Sequence, residues 1–144
     1  MAGEFTSTET MCRISSFYHG FSLSNAYKRE YRDLSDADFP AWPASIPVAA
    51  KLAIVFCFPG SPRYHRQVHI RRTDSGVLTR GKLATIVARE VQRFLGQVRR
   101  AGNQDPLGRC GVHLALENFV LVDVQHVSKG SLQPTIGIIA KSNE

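Results

Sequence analysis

The apolar positions of this chain change their period once, between residues 68 and 98. Val68 and Ile70 alternate with His69 and Arg71, Thr73-Asp74-Ser75-Gly76 interrupts, and from Thr79 the apolar spacing lengthens from about 2 to about 3.6. A strand therefore hands over to a helix. Leu83, Ile86, Val87, Val91, Phe94, Leu95 and Val98 follow at steps of three, one, four, three, one and three, which keeps them on one stripe of a helix over about residues 79–100. Thr79 is its natural N-cap, Arg99 and Arg100 suit the negative end of its dipole, and Gly102 can close it. Gly81 is poor helix material.

That apolar stripe needs a sheet to cover it. Residues 51–58 form an apolar run of strand length ended by Pro59-Gly60-Ser61-Pro62, and residues 67–72 read as its antiparallel partner. After a polar loop over 103–111, residues 112–116 and 119–127 read as two more strands and 136–140, after Pro134, as another. Val120, Val122 and Val124 alternate with Leu121 and Asp123, so one face of that strand is expected to be the better buried. Strand, strand, helix, then further strands predicts an α+β domain: one long helix packed on a mainly antiparallel or mixed β-sheet, with a β-grasp arrangement as one topology that fits.

The N-terminal third has no such period. Residues 1–16 are rich in Ser, Thr and Glu and read as flexible, and 1–5 are left out of the fold reading. Phe17, Tyr18, Phe21, Tyr27, Tyr31, Phe39 and Trp42 place seven of the thirteen aromatics in 26 residues. Aromatics at this density seldom stay in water, so residues 17–42 are expected to form an irregular arm. It either packs across the core of a single domain over 17–144 or docks onto a second chain. One or two helical turns fit within 25–33. Pro40, Pro43 and Pro47 then hold the chain extended ahead of the first predicted strand.

A chain of 144 residues is long enough to bury a core without metal or disulfide staples. Three widely spaced cysteines, Cys12, Cys57 and Cys110, make no disulfide framework, and no apolar run has the length of a membrane span. The expected setting is intracellular, cytoplasmic or nuclear, without membrane insertion. Eighteen Lys and Arg against twelve Asp and Glu give a net charge of +6, and thirteen of the cations are Arg, which brings acidic partners into view.

Catalytic and metal signatures are sparse. His65 and His69 stand about 13 Å apart on an extended chain, too far to share one ion. Cys110 and His113 have a usable gap but no second pair to complete a site, and Cys57 reads as a small buried hydrophobe. No nucleophile elbow, Walker spacing or dinucleotide fingerprint is present. The expectation is no metal, no cofactor and no catalytic residue. An enzyme would need a site assembled in space, with Cys110 and His113 as its nearest candidates.

Two binding readings remain. In the first, a non-catalytic protein-interaction module binds a partner protein or its own twin through the arm residues Phe17, Tyr18, Phe21, Tyr27, Tyr31 and Trp42, or through the 63–72 hairpin. In the second, Arg63, Tyr64, Arg66, His69, Arg71 and Arg72 bind RNA or single-stranded nucleic acid, the cations tracking the backbone while Tyr64 stacks on a base. A soluble cationic edge strand accounts for the same hairpin.

The approach Trp42-Pro43-Ala44-Ser45-Ile46-Pro47, the core Val68-His69-Ile70 with Gly76-Val77-Leu78-Thr79 leading into a helix with Leu83 and Val87, and the apolar C-terminal strands together resemble a small domain of unknown function abundant in mushroom-forming fungi, the DUF6699 type. The likeness covers roughly residues 40–140, while the aromatic landmarks of that domain near its final strands are not evident. The resemblance implies an α+β domain with no assigned activity, so it carries no site residue across.

Overall fold

A computed structural model of the chain describes residues 14–42, 51–56, 63–69, 78–100, 115–128 and 130–139. In chain order these form β1 (Ile14–Ser22), α1 (Leu23–Tyr27), β2 (Lys51–Phe56), β3 (Tyr64–His69), α2 (Arg80–Arg100), a 3-10 turn (Leu116–Asn118), β4 (Phe119–Ser128) and β5 (Ser131–Ile138). The five strands make one mixed sheet in the order β1-β4-β5-β2-β3, in which β2 and β5 run parallel and every other neighbour is antiparallel. This is an α+β fold. The hairpin β2–β3, the helix α2 and the hairpin β4–β5 have the strand order of a β-grasp sheet, and β1 is added beside β4.

α2 begins where the change of period places it. Its first turn is capped by Thr79, whose Oγ1 accepts the Lys82 N–H at 3.2 Å, and by the carbonyls of Phe39 and Ala37, which accept the Arg80 and Gly81 N–H groups. Leu83, Val87, Val91, Phe94 and Leu95 are buried against Leu52, Ile54, Phe56, Phe119, Leu121, Val124 and Leu132 of the sheet. Ala84, Thr85 and Ala88 are buried too, because α1 packs on a second side of the helix. Thr85 Oγ1 donates to the Ala26 carbonyl, and the Tyr31 hydroxyl bonds Thr85 Oγ1 at 2.7 Å. Gly81 has its reason here: a Cβ at this position would stand 3.1 Å from the Tyr31 ring.

Several expectations are corrected. The stretch expected to be an irregular arm starts with a regular element, since β1 pairs with β4 from Ile14↔His126 to Ser22↔Val120, and it includes Ile14–Ser16 from the stretch expected to be flexible. Its alternation is hidden by residues inserted between Phe17 and Phe21, where His19 (φ 54°) and Gly20 (φ 86°) take left-handed conformations. β3 begins at Tyr64 rather than 67, and β5 begins at Ser131 and contains Pro134. Leu116 opens a 3-10 turn instead of ending a strand. In β4 the better-buried face changes parity: Phe119 and Leu121 point inward, a bulge falls between Leu121 and Asp123, and Val124 and His126 point inward beyond it. Val122 is left exposed. Cys12, Cys57, Cys110 and His113 lie outside the described residues, as do 43–50 and 70–77.

Candidate interaction edge

β3 pairs with β2 without interruption, from Phe56↔Tyr64 to Lys51↔His69. On the other side of β2, the Ala53 N–H donates to the Gly130 carbonyl at 2.8 Å, so the backbone groups of Ala53 face β5. Successive residues of a strand direct these groups to opposite edges. Leu52, Ile54 and Phe56 therefore face β3, and their partners Val68, Arg66 and Tyr64 are the hydrogen-bonded pairs. The backbone groups of His65, Gln67 and His69 point away from the sheet. β3 is the last strand of the sheet among the described residues, so these three residues form its open edge.

The side chains alternate in step. Tyr64 and Val68 are buried on the helix face, whereas His65, Gln67 and His69 are exposed on the face that α2 does not cover. Tyr64 is only 6% exposed: its ring stacks on Phe56 at 4.7 Å and meets Phe94 edge-on at 5.7 Å. Its hydroxyl donates to Glu90 Oε1 at 2.7 Å. Burial, followed by this hydrogen bond and the Glu90 charge, holds the Tyr64 phenol well above its usual pKa. Glu90 is a carboxylate buried on α2, and the same oxygen is 3.1 Å from Arg66 Nε and 4.0 Å from Arg93 Nε. Both guanidinium groups are about half exposed.

The described hairpin residues of the nucleic-acid reading are thus not gathered on one surface. Tyr64 is a core residue and offers no stacking face, a correction to the expectation. Arg66 lies on the helix face and His69 on the other, Arg63 is exposed at the start of the strand, and Arg71 and Arg72 lie outside the described residues. The arm residues also separate. Tyr18, Phe21 and Trp42 are core, Trp42 with its ring 5.2 Å from that of His126. Tyr31 is half-buried, while Phe17 and Tyr27 are exposed at 55% and 46%. Phe17 stands on the uncovered sheet face opposite Asp123, and Tyr27 at the end of α1, so the two exposed residues belong to different elements.

A cleft of about 290 Å³ is lined by Tyr18, His19, Asn25, Asp33 and Arg80 among others. Arg80 is committed to the fold there. It donates to Ser16 Oγ and to the Phe17 carbonyl and lies 4.5 Å over the Tyr18 ring, and the Tyr18 hydroxyl donates to the Arg80 carbonyl. Among the described residues no group of His, Cys, Asp and Glu is placed to hold a metal ion, and no helix is long and apolar enough to cross a membrane. No family model, curated protein or solved structure matches the chain.

The sequence pointed to the hairpin through its cations and missed Glu90, which looks like one more charge on a solvated helix face. Its burial follows from β3, whose Tyr64 and Arg66 both bond the carboxylate. The nearest local signal was the tyrosine at the head of a cationic strand.

Proposed function

We propose that this chain is a non-catalytic protein-interaction module that recognises its partner with the outer edge of β3. One observation carries the reading: among the described residues, the strands at the two edges of the sheet are built differently. β1 is broken by the insertion at His19 and Gly20, a common device against edge pairing, whereas β3 runs unbulged and proline-free with the backbone groups of His65, Gln67 and His69 turned outward. A regular open edge binds extended chains through main-chain hydrogen bonds, and neighbouring side chains add selectivity. Nucleic-acid binding is the weaker reading, because Tyr64 is in the core and no other aromatic is exposed among the hairpin's described residues. The resemblance to the fungal domain assigns no activity to any residue, so it adds nothing to the choice. The wide cysteine spacing suits an intracellular setting, cytoplasmic or nuclear.

The test uses the variant Gln67→Pro. It removes an outward N–H and no β2–β3 hydrogen bond, a position where an edge strand tolerates proline. Presented with a library of extended peptides, the wild-type chain is expected to retain binders that Gln67→Pro loses, with both proteins melting alike. A library that yields no binder, or binders indifferent to the substitution, refutes edge recognition.

A further inference from the structure

We infer that the segment this edge accepts is acidic: an extended stretch of a partner protein that adds to β3 as an antiparallel strand, with carboxylates beside Arg66 and Arg93. The inference deepens the edge-recognition reading and rests on it. Its basis is the charge on both sides of the edge. On the helix face two guanidinium groups share one carboxylate oxygen, Glu90 Oε1, and each remains about half exposed, which leaves one positive charge in excess. On the other face the charge is that of Lys51, exposed opposite His69, and the exposed His65 and His69 rings add hydrogen-bond donors. Arg63 is exposed at the head of the strand.

The register sharpens the position. Because His65, Gln67 and His69 hold the outward backbone groups, a residue of an added antiparallel strand opposite Arg66 falls in a non-hydrogen-bonded pair. There the Cα atoms are only about 4.5 Å apart and the side chains closest. A carboxylate at that position reaches the half-exposed Arg66 guanidinium, and one two residues away stays on the same helix-facing side. A second copy of the chain is a poorer occupant, since self-pairing joins two molecules of net charge +6 through their cationic edges. A nucleic-acid backbone would have to straddle the edge to meet Arg66 on one face and His65 and His69 on the other.

The experiment measures binding of three synthetic peptides to the full chain at low salt by fluorescence anisotropy: (Thr-Glu)4, the uncharged (Thr-Gln)4, and (Thr-Glu)4 with N-methylated backbone amides. Gln67→Pro and Arg93→Gln are measured alongside, with melting curves to verify their folds. The expected result is that (Thr-Glu)4 binds about tenfold more tightly than (Thr-Gln)4. N-methylation and Gln67→Pro each abolish the binding, and Arg93→Gln narrows the gap between the two peptides. Equal binding of the Glu and Gln peptides, still lost in Gln67→Pro, overturns the acidic partner and leaves edge recognition standing. Binding of (Thr-Glu)4 that survives both N-methylation and Gln67→Pro overturns edge recognition itself. Self-association that Gln67→Pro dissolves makes a second copy the occupant, and displacement of the peptide by oligouridylate at equal concentration makes it nucleic acid; either result overturns the inference. The comparison of the peptides needs no variant, so a misfolded substitution cannot mask the answer.

Discussion

Tyr64→Phe isolates the contact that ties the edge strand to the helix. The substitution keeps the ring, and with it the stack on Phe56 and the edge-on contact with Phe94. It removes only the hydroxyl that donates to Glu90 Oε1 at 2.7 Å. A hydrogen bond to a charged group contributes about 1.5–3 kcal/mol. Removing a hydroxyl from a buried site recovers a little of its desolvation cost, which favours the lower half of that range. The carboxylate keeps Arg66 at 3.1 Å, but that guanidinium is half exposed and screened, and such pairs contribute about 0–1 kcal/mol. The expected loss is therefore about 2 kcal/mol. For a chain of this length it lowers Tm by about 6–8 °C. Urea denaturation followed by circular dichroism measures it, with an unchanged m-value showing that the unfolded state is not what moved. A double-mutant cycle with Glu90→Gln should return a coupling of about 1–2 kcal/mol. A loss below about 0.5 kcal/mol, or no coupling, would show that the phenol and the carboxylate do not depend on each other, and the account of how β3 is held would fall.

Thr79→Ala removes the side-chain cap of α2, whose Oγ1 accepts the Lys82 N–H, and should cost about 1 kcal/mol in the same denaturation assay. Gly20→Ala should cost about 1 kcal/mol through backbone strain alone, because φ is 86° there and an added Cβ would meet nothing within 4 Å; a neutral result would contradict the bulge geometry. Tyr18 and Tyr64 are both held above the usual phenol pKa, chiefly by burial. Above about pH 10 the unfolded chain loses phenol protons that the folded chain retains, so stability must fall as pH rises through that region. The fall should be shallower in Tyr64→Phe, and parallel curves for the two proteins would contradict it.

What the sequence made legible follows from where periodicity is local. α2 was readable because its stripe from Leu83 to Val98 repeats without interruption and Thr79 marks its start, and β2 because Leu52, Ala53 and Ile54 are all buried. β1 was hidden because the insertion at His19 and Gly20 breaks its alternation. The change of buried face along β4 is hidden because a bulge shifts parity between Leu121 and Asp123, and a single extra residue leaves no signature in hydropathy. The start of β3 is hard to read because only Tyr64 and Val68 of its six residues are buried, and three exposed residues stand between them. Glu90 was illegible for a different reason. Its burial depends on a residue 26 positions away, and no pattern within α2 encodes that. The hairpin was thus found by its charge, while its role as an edge depended on the strand order.

The central claim is that β3 is an open edge waiting for an extended chain, and residue-resolved amide hydrogen exchange tests it most directly. In the free protein the amides of Arg66 and Val68 should be protected, and those of His65, Gln67 and His69 should exchange openly. Saturating (Thr-Glu)4 should bring these three under protection while Arg66 and Val68 change little. If His65, Gln67 and His69 are already protected in the free protein, or remain open at saturation, β3 is not the binding edge.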